Sequence, residues 1–243
     1  MIALSLAEIA EVVGGQTYDI PDPAVQVTGS VVRDSREVEP GSLFVAFVGE
    51  RVDGHDYASA VVAAGAVAVL ASRPVGVPAI VVADVQKALG ALARHVVRRL
   101  GATLVALTGS AGKTSTKDLI AQVLQRKAPT VWTPGSLNNE IGLPLTALSA
   151  TDETRFLVLE MGARGIGHIR YLADLTPPKV GLVLNVGTAH IGEFGGREQI
   201  AQAKGELVES LPEDGTAILN ADDPLVRAMA SRTKAKVILR RRR

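Results

Sequence analysis

The sequence predicts an α/β fold, with a small N-terminal α/β domain followed by a doubly wound, mostly parallel sheet of the P-loop type. Three observations carry this reading. Ala, Val, Leu and Gly dominate while aromatic residues make up only 3%, a composition suited to helices packed closely on buried parallel strands. Short aliphatic runs alternate with segments of helical periodicity, the pattern of βαβ units. Residues 104–117 read as an apolar strand, a glycine-bearing turn and a helix start. With 47% hydrophobic and 21% charged residues over 243 positions, the chain holds enough apolar surface for one large or two modest cores and is not of the disordered class.

In chain order, Ser5 and Glu8 form a capping box ahead of Leu6, Ile9, Ala10 and Val13 at helical spacing, and Gly14-Gly15 ends that helix. Residues 25–33 and 43–48 read as strands, separated by a polar loop with Asp34-Ser35-Arg36 and the turn Pro40-Gly41. Asp53-Gly54-His55-Asp56 precedes a helical segment that stops at Gly65, strands follow near 66–70 and 79–82, and Asp84 caps a helix running to Leu100. Residues 98–103 form the natural boundary, dividing the chain into 1–100 and 101–243. Beyond it, strands are expected at 130–133, 156–159, 180–184 and 216–219, a helix at 197–211, and the start of a further strand at 236–239.

The stretch Gly109-Ser110-Ala111-Gly112-Lys113-Thr114-Ser115 has the parts of a phosphate loop. Glycines let backbone N–H groups turn toward a polyphosphate, the helix start adds positive potential, Lys113 reaches terminal phosphates, and Thr114 is placed to ligate magnesium. The general pattern wants another glycine where Leu107 stands, so only the shorter Gly109-x-x-Gly112-Lys113-Thr114 form is present.

Each later strand delivers polar residues just past its carboxyl end: Asn138 and Asn139 beyond the strand at 130–133, then Glu160, Asn185 with His190, and Asn220 with Asp222. In open α/β sheets ligands bind at that edge. Taken singly, each has an ordinary alternative as a cap, a turn residue or a packed loop histidine. Beside a phosphate loop, Glu160 and His190 become candidate ligands for a phosphate-bridging Mg²⁺. Ser35 and Arg36 offer a hydroxyl and a planar cation to a phosphate- or ribose-bearing ligand, with simple solvation as the alternative. His55, flanked by aspartates, reads as a hydrogen-bonded turn residue before a metal ligand. Lys204 lies on the apolar face of its helix with Ile200, Ala203, Leu207 and Leu211, where pairing with Glu206 or Glu209 is the usual outcome.

The formal charge of +1 includes Arg240, Arg241, Arg242 and Arg243, leaving about −3 elsewhere, which is no footprint for nucleic acid. The absence of cysteine excludes disulfide and thiolate chemistry. The longest apolar stretch, residues 58–71, is too short for a bilayer and is broken by Gly65, and a cytoplasmic protein is expected.

Five motifs in order carry a family resemblance: Gly109-Ser110-Ala111-Gly112-Lys113-Thr114-Ser115-Thr116-Lys117, Thr133-Pro134-Gly135-Ser136-Leu137-Asn138-Asn139-Glu140-Ile141-Gly142-Leu143-Pro144, Glu160-Met161-Gly162-Ala163, Asn185-Val186-Gly187-Thr188-Ala189-His190, and Ala203-Lys204-Gly205-Glu206. Together they resemble the Mur ligases. Ser115-Thr116-Lys117 and the Leu-Asn-Asn-x-Ile-Gly-x-Pro block are similar to the branch that joins D-alanyl-D-alanine to UDP-N-acetylmuramoyl-tripeptide, more than to the diaminopimelate- or lysine-adding branch. The resemblance implies an ATP- and Mg²⁺-dependent ligase acting through an acyl phosphate. It also implies that residues 1–100 hold the UDP part of the substrate through Ser35 and Arg36, that Gly109 to Ser115 bind ATP, and that Asn138 and Asn139 lie near the substrate or the phosphates. Thr114, Glu160 and His190 would serve magnesium, and Lys204 would be carbamylated to help hold a second ion. Lys113, His190 and Lys204 would be catalytic. One departure is His168, where relatives commonly carry glutamate. Relatives continue beyond the strand at 236–239 into more of the central domain and a third domain, so the chain is expected to be a fragment or a frameshifted end that binds UDP-substrate without useful ligation. A P-loop kinase or simple NTPase, and a binding module without catalysis, are the rival classes.

Overall fold

A computed structural model describes residues 1–187 and 195–241. The chain forms two compact units, Met1–Arg99 with Leu148–Asp152, and Leu100–Ala147 with Glu153–Arg243.

In the first unit, α1 (Leu6–Val13) starts at the expected capping box. Glu8 N donates to Ser5 Oγ at 3.1 Å and Ser5 N donates to the Glu8 carboxylate at 2.8 Å. Leu6, Ile9 and Ala10 are buried on its inner face. The single strand expected over 25–33 is two short ones. β1 (Leu4–Ser5) pairs antiparallel with β3 (Gln26–Val27), while β4 (Val31–Val32) joins a different sheet. The reason is competition for partners: β1 claims the backbone of Gln26 and Val27, and the three residues after them carry the chain across to β5 (Leu43–Val45). With β2 (Gln16–Tyr18), β6 (Ala68–Ala71) and β7 (Ala79–Val81), the larger sheet runs β2-β7-β6-β5-β4, parallel except for β2. β6 is buried throughout, as a strand covered on both faces should be. Phe44, Val69 and Ala71 pack with Ala58 and Val61 of α2 (Ala58–Ala63). α3 (Val85–Arg99) opens on Asp84, whose carboxylate accepts from Lys87 N at 3.0 Å.

His55 is buried at 5% exposure and acts as a pin. Ser72 N donates to its Nε2 at 2.9 Å, so Nδ1 carries the proton and donates to Asp53 at 2.6 Å. Ser72 Oγ also lies 3.0 Å from Nε2. The row of contacts outlines a serine–histidine–aspartate relay, but the Ser72 amide already occupies the imidazole lone pair that a general base needs.

The second unit contains β8 (Thr103–Thr108), α4 (Lys113–Gln125), β9 (Thr130–Trp132), α5 (Gly142–Leu148), β10 (Phe156–Glu160), α6 (His168–Leu175), β11 (Val180–Val183), α7 (Arg197–Glu209), β12 (Thr216–Asn220), α8 (Pro224–Ala228) and β13 (Lys236–Arg240). Its six strands are all parallel in the order β13-β12-β11-β8-β10-β9. One face packs Val105, Leu107 and Val158 against Ile120 and Leu124 of α4. On the other, Gly181 faces Leu207 and Leu211 at the distances of close packing. From β8 the chain winds first toward β9 and β10 and then toward β11, β12 and β13. The order therefore reverses at the β8/β11 crevice, and there a doubly wound sheet opens a pocket at its carboxyl edge.

Candidate nucleotide and metal site

The loop after β8 sits at that crevice. Gly112 has φ +76°, a left-handed conformation open to a residue without Cβ, and it stands as the N-cap of α4. The backbone N–H groups of Gly112, Lys113 and Thr114 have no hydrogen-bond partner among the described residues and stand at the positive end of a 13-residue helix. Lys113 Nζ donates back to Gly109 O at 3.1 Å, so the cation is held at the loop. Ser110 and Ala111 turn their amides to another partner: both donate to Asn185 Oδ1, each at 3.0 Å.

Glu160, the last residue of β10, is 1% exposed. Thr114 Oγ1 donates to one carboxylate oxygen at 2.9 Å and Asn138 Nδ2 to the other at 2.6 Å. No Lys, Arg or His among the described residues forms an ion pair with it. A buried carboxylate held by neutral donors alone is electrostatically incomplete, and a cation is what completes it. The donor set is hard oxygen from a carboxylate and a hydroxyl, which fits Mg²⁺, an ion that takes few protein ligands when phosphates supply the rest. No group of three or more His, Cys, Asp or Glu gathers among the described residues. Gly162 packs so closely that a Cβ there would stand 2.6 Å from Asn138 Oδ1.

Three expected residues are thus brought together: Thr114, Glu160 and Asn138. Asn139 is one residue on but differently employed, its Oδ1 accepting from Gly142 N at 2.8 Å at the start of α5. His190 lies outside the described residues. Lys204, on α7, is 5% exposed. The pairing with Glu206 or Glu209 that helical spacing alone favours does not occur among the described residues. Glu206 accepts from Gly167 N at 2.5 Å and Arg170 N at 3.0 Å at the head of α6, and Glu209 is taken by Arg170 and Arg232. Burial, and secondarily the charge of Lys113, lowers the Lys204 ammonium from its ordinary 10.5 to about 8. A lysine lowered to about 8 has a larger share of the free amine, the form that carbamylation requires, than an ordinary lysine has.

Ser35 and Arg36 belong to the first unit, in the short 3₁₀ turn Ser35–Glu37 capped by Asp34. The Arg36 side chain is 87% exposed and holds Asp34 through Nε at 2.9 Å and Nη2 at 2.5 Å. The Arg36 side chain, aided by its backbone N–H, keeps the Asp34 carboxyl well below the usual carboxylate range.

Two residues with specific roles escaped the sequence reading. Lys117 is fully buried and donates to Thr133 O at 2.6 Å and Gly135 O at 2.7 Å, tying α4 to the loop that presents Asn138. Its only local signal is its spacing, four residues before the buried Ala121. Asn185 carried the same signal as Glu160, a polar residue at a strand end, without any indication of what it would grip.

The family model described as Mur ligase middle domain matches residues 107–240, and that described as Mur ligase family, catalytic domain, matches residues 29–97. The chain is 52% identical to the UDP-N-acetylmuramoyl-tripeptide--D-alanyl-D-alanine ligase of Mycobacterium tuberculosis, covering 98% of this chain and 52% of that protein. It is 42% identical to the enzyme of that name from Escherichia coli, covering 92% and 49%. Among solved structures, MurF from Acinetobacter baumannii superposes with a TM-score of 0.89 at 34% identity, over 98% of this chain and 53% of that one. MurF ligase from Thermotoga maritima in complex with ADP gives 0.80 at 37%, over 88% and 51%. The chain spans about half the length of the curated relatives it matches.

Proposed function

Because the chain belongs to the Mur ligase family, we propose that it serves the ATP-dependent joining of D-alanyl-D-alanine to UDP-N-acetylmuramoyl-tripeptide, a cytoplasmic step of peptidoglycan precursor synthesis. The observation that carries this reading is the buried Glu160 carboxylate, held by Thr114 and Asn138 beside the free amides of the phosphate loop. Magnesium bound there would neutralise the charge that otherwise keeps a carboxylate substrate away from a nucleoside triphosphate. Thr114 and Glu160 would hold it, with His190 and a carbamylated Lys204 completing the metal sites as the family resemblance implies.

In the proposed reaction a carboxylate oxygen of the tripeptide attacks the γ-phosphorus of ATP, the bond to the β-phosphate oxygen breaks, and an acyl phosphate and ADP result. The amine of D-alanyl-D-alanine then attacks the acyl carbon, phosphate leaves with the C–O electron pair, and the amine nitrogen loses a proton as the amide forms. Lys113 and the amides of Gly112, Lys113 and Thr114 would hold the phosphates in line and stabilise the charge on the transferring group. Glu160 would orient the Thr114 hydroxyl, and Ser35 with Arg36 would bind the UDP portion in exchange for the contact to Asp34. Asn138 and Asn139 would lie along the path of the substrate.

Incubation with both substrates, ATP and magnesium, followed by mass spectrometry, tests the proposal. UDP-muramoyl pentapeptide with stoichiometric ADP is the product that identifies ligation, and its formation at many turnovers would overturn the expectation that this chain binds UDP-substrate without useful ligation. Phosphate release without amide would place the chain among NTPases, and nucleotide or UDP-substrate binding without turnover would make it a binding module. Lys113→Ala should weaken ATP binding at least about 10-fold by calorimetry while the unfolding midpoint stays put, since the loop lysine answers phosphate and not the core.

A further inference from the structure

The phosphate loop of this chain lacks the first glycine of the general pattern, whose place is taken by Leu107 inside β8, and only Gly109 to Gly112 separate β8 from α4. A loop of that length has few backbone groups with which to hold its own shape. The structure provides constraints from a neighbouring strand. Asn185, just past the end of β11, accepts from Ser110 N and Ala111 N with Oδ1, each at 3.0 Å, and its Nδ2 donates to Ala111 O at 3.0 Å. Its backbone carbonyl takes a second bond from Ser110 N at 3.1 Å. Two residues on, Gly187 N donates to Ser110 Oγ at 2.9 Å. Ser110 and Ala111 are therefore held by residues 185–187, and the second half of the loop, Gly112 to Thr114, is left with its N–H groups unengaged among the described residues.

The β11 side is itself anchored. Val186 N donates to Asp223 at 2.8 Å, and the same carboxylate caps α8 through Leu225 N at 3.0 Å, while Arg197 donates to Val186 O at 2.9 Å. Asn220 Nδ2 holds Leu184 O at 2.9 Å. The carboxamide thus stands on a fixed base, and the loop is braced against the sheet across a sequence distance of more than seventy residues.

We propose that Asn185 is a positioning residue for nucleotide binding, its carboxamide bracing the first half of the phosphate loop and holding Gly112, Lys113 and Thr114 open to the β-phosphate. The inference rests on the nucleotide reading given above. Its effect should fall on the part of the ligand that the second half of the loop receives. Asn185→Ala is expected to lower ADP affinity, measured by calorimetry with magnesium, by about 10- to 100-fold. AMP, which has no β-phosphate, should change less than about 3-fold by competition, so that the ratio of ADP to AMP affinity collapses. Amide exchange over residues 109–112 should accelerate in the ligand-free variant, with exchange in the strands unchanged. If the unfolding midpoint shows that Asn185→Ala does not fold, Ser110→Ala removes only the Gly187 strut and should lower ADP affinity by about 3-fold. A wild-type chain that binds ADP beside a variant that binds it equally, or a variant that loses ADP and AMP alike, overturns the role of Asn185 and leaves the nucleotide site standing. A wild-type chain that binds no ADP overturns both.

Discussion

Two helices of the second unit each bury a lysine, and the two are treated in opposite ways. On α4, Lys117 is fully enclosed, but its ammonium has two carbonyls within 2.7 Å and Asp118 at 3.1 Å. On α7, Lys204 is almost as buried and has no hydrogen bond or ion pair among the described residues. The first arrangement is a finished strut: desolvation of the charge is offset by local acceptors, and the loop from Thr133 to Gly135 is held in return. The second is unfinished among the described residues. An unanswered buried ammonium favours its neutral form, and neutral lysine is the reactive form. The contrast separates a cation that holds structure from one that is buried with no partner among the described residues, although the two share residue type, helical setting and depth.

The contrast breaks most severely at Lys117. Lys117→Met leaves the Thr133 and Gly135 carbonyls without their donor, and a loss of about 3 kcal/mol in unfolding free energy is expected from denaturant titration. Magnesium affinity should fall too, since Asn138 follows the same loop to Glu160.

Lys204→Met should do the reverse, raising stability by about 1–3 kcal/mol at pH 7 in carbon dioxide-free buffer. Its folded-state pKa of about 8 lies below the 10.5 of the free side chain. Between those values the unfolded chain binds more protons than the folded one, so wild-type stability rises with pH and the advantage of Met shrinks. A variant whose advantage is constant from pH 7 to 10 would show that Lys204 is not held in this way. The same substitution should abolish any ligation.

The smallest effect is expected at Glu206→Gln. The carboxylate that ignores Lys204 instead caps α6, and its replacement should cost about 1 kcal/mol by thermal unfolding. If Lys204 were secretly paired with Glu206, the cost would be several-fold larger and would vanish in the Lys204→Met background.

How much of this was readable beforehand follows the range of the contacts. The strands of the second unit ended where aliphatic runs gave way to Glu160, Asn185 and Asn220, because a buried parallel strand writes its length into consecutive residues. The capping box at Ser5 and Glu8 is equally local. Thr114 and Glu160 were placed at one edge by the same logic. What the pattern could not supply were partners. Lys204 had two plausible acids within a helical turn, and both were taken by backbone amides and arginines from distant segments. Lys117 was assigned no role of its own because the carbonyls that receive it belong to a loop past the end of β9. The strand expected over 25–33 divided because β1, contributed by the first residues of the chain, competes for its beginning.

Arg232 lies across α7 so closely that a Cβ on Gly205 would stand 1.9 Å from its Nη1, and its guanidinium also holds Ala201 O at 3.1 Å and Gln202 O at 2.9 Å. In the time order of folding, this makes Arg232 the last of the contacts that set the aim of Lys204. The helix can wind as soon as residues 197–209 exist, since its own ladder is local, but a free helix is at liberty to roll about its axis. Earlier segments already limit that roll, through the amides of Gly167 and Arg170 on Glu206 and through Gly181 against Leu207. Arg232, made 28 positions after Lys204, closes over the glycine only when the chain has run through β12 and α8, and it completes the fixing of a helix that its predecessors began to hold.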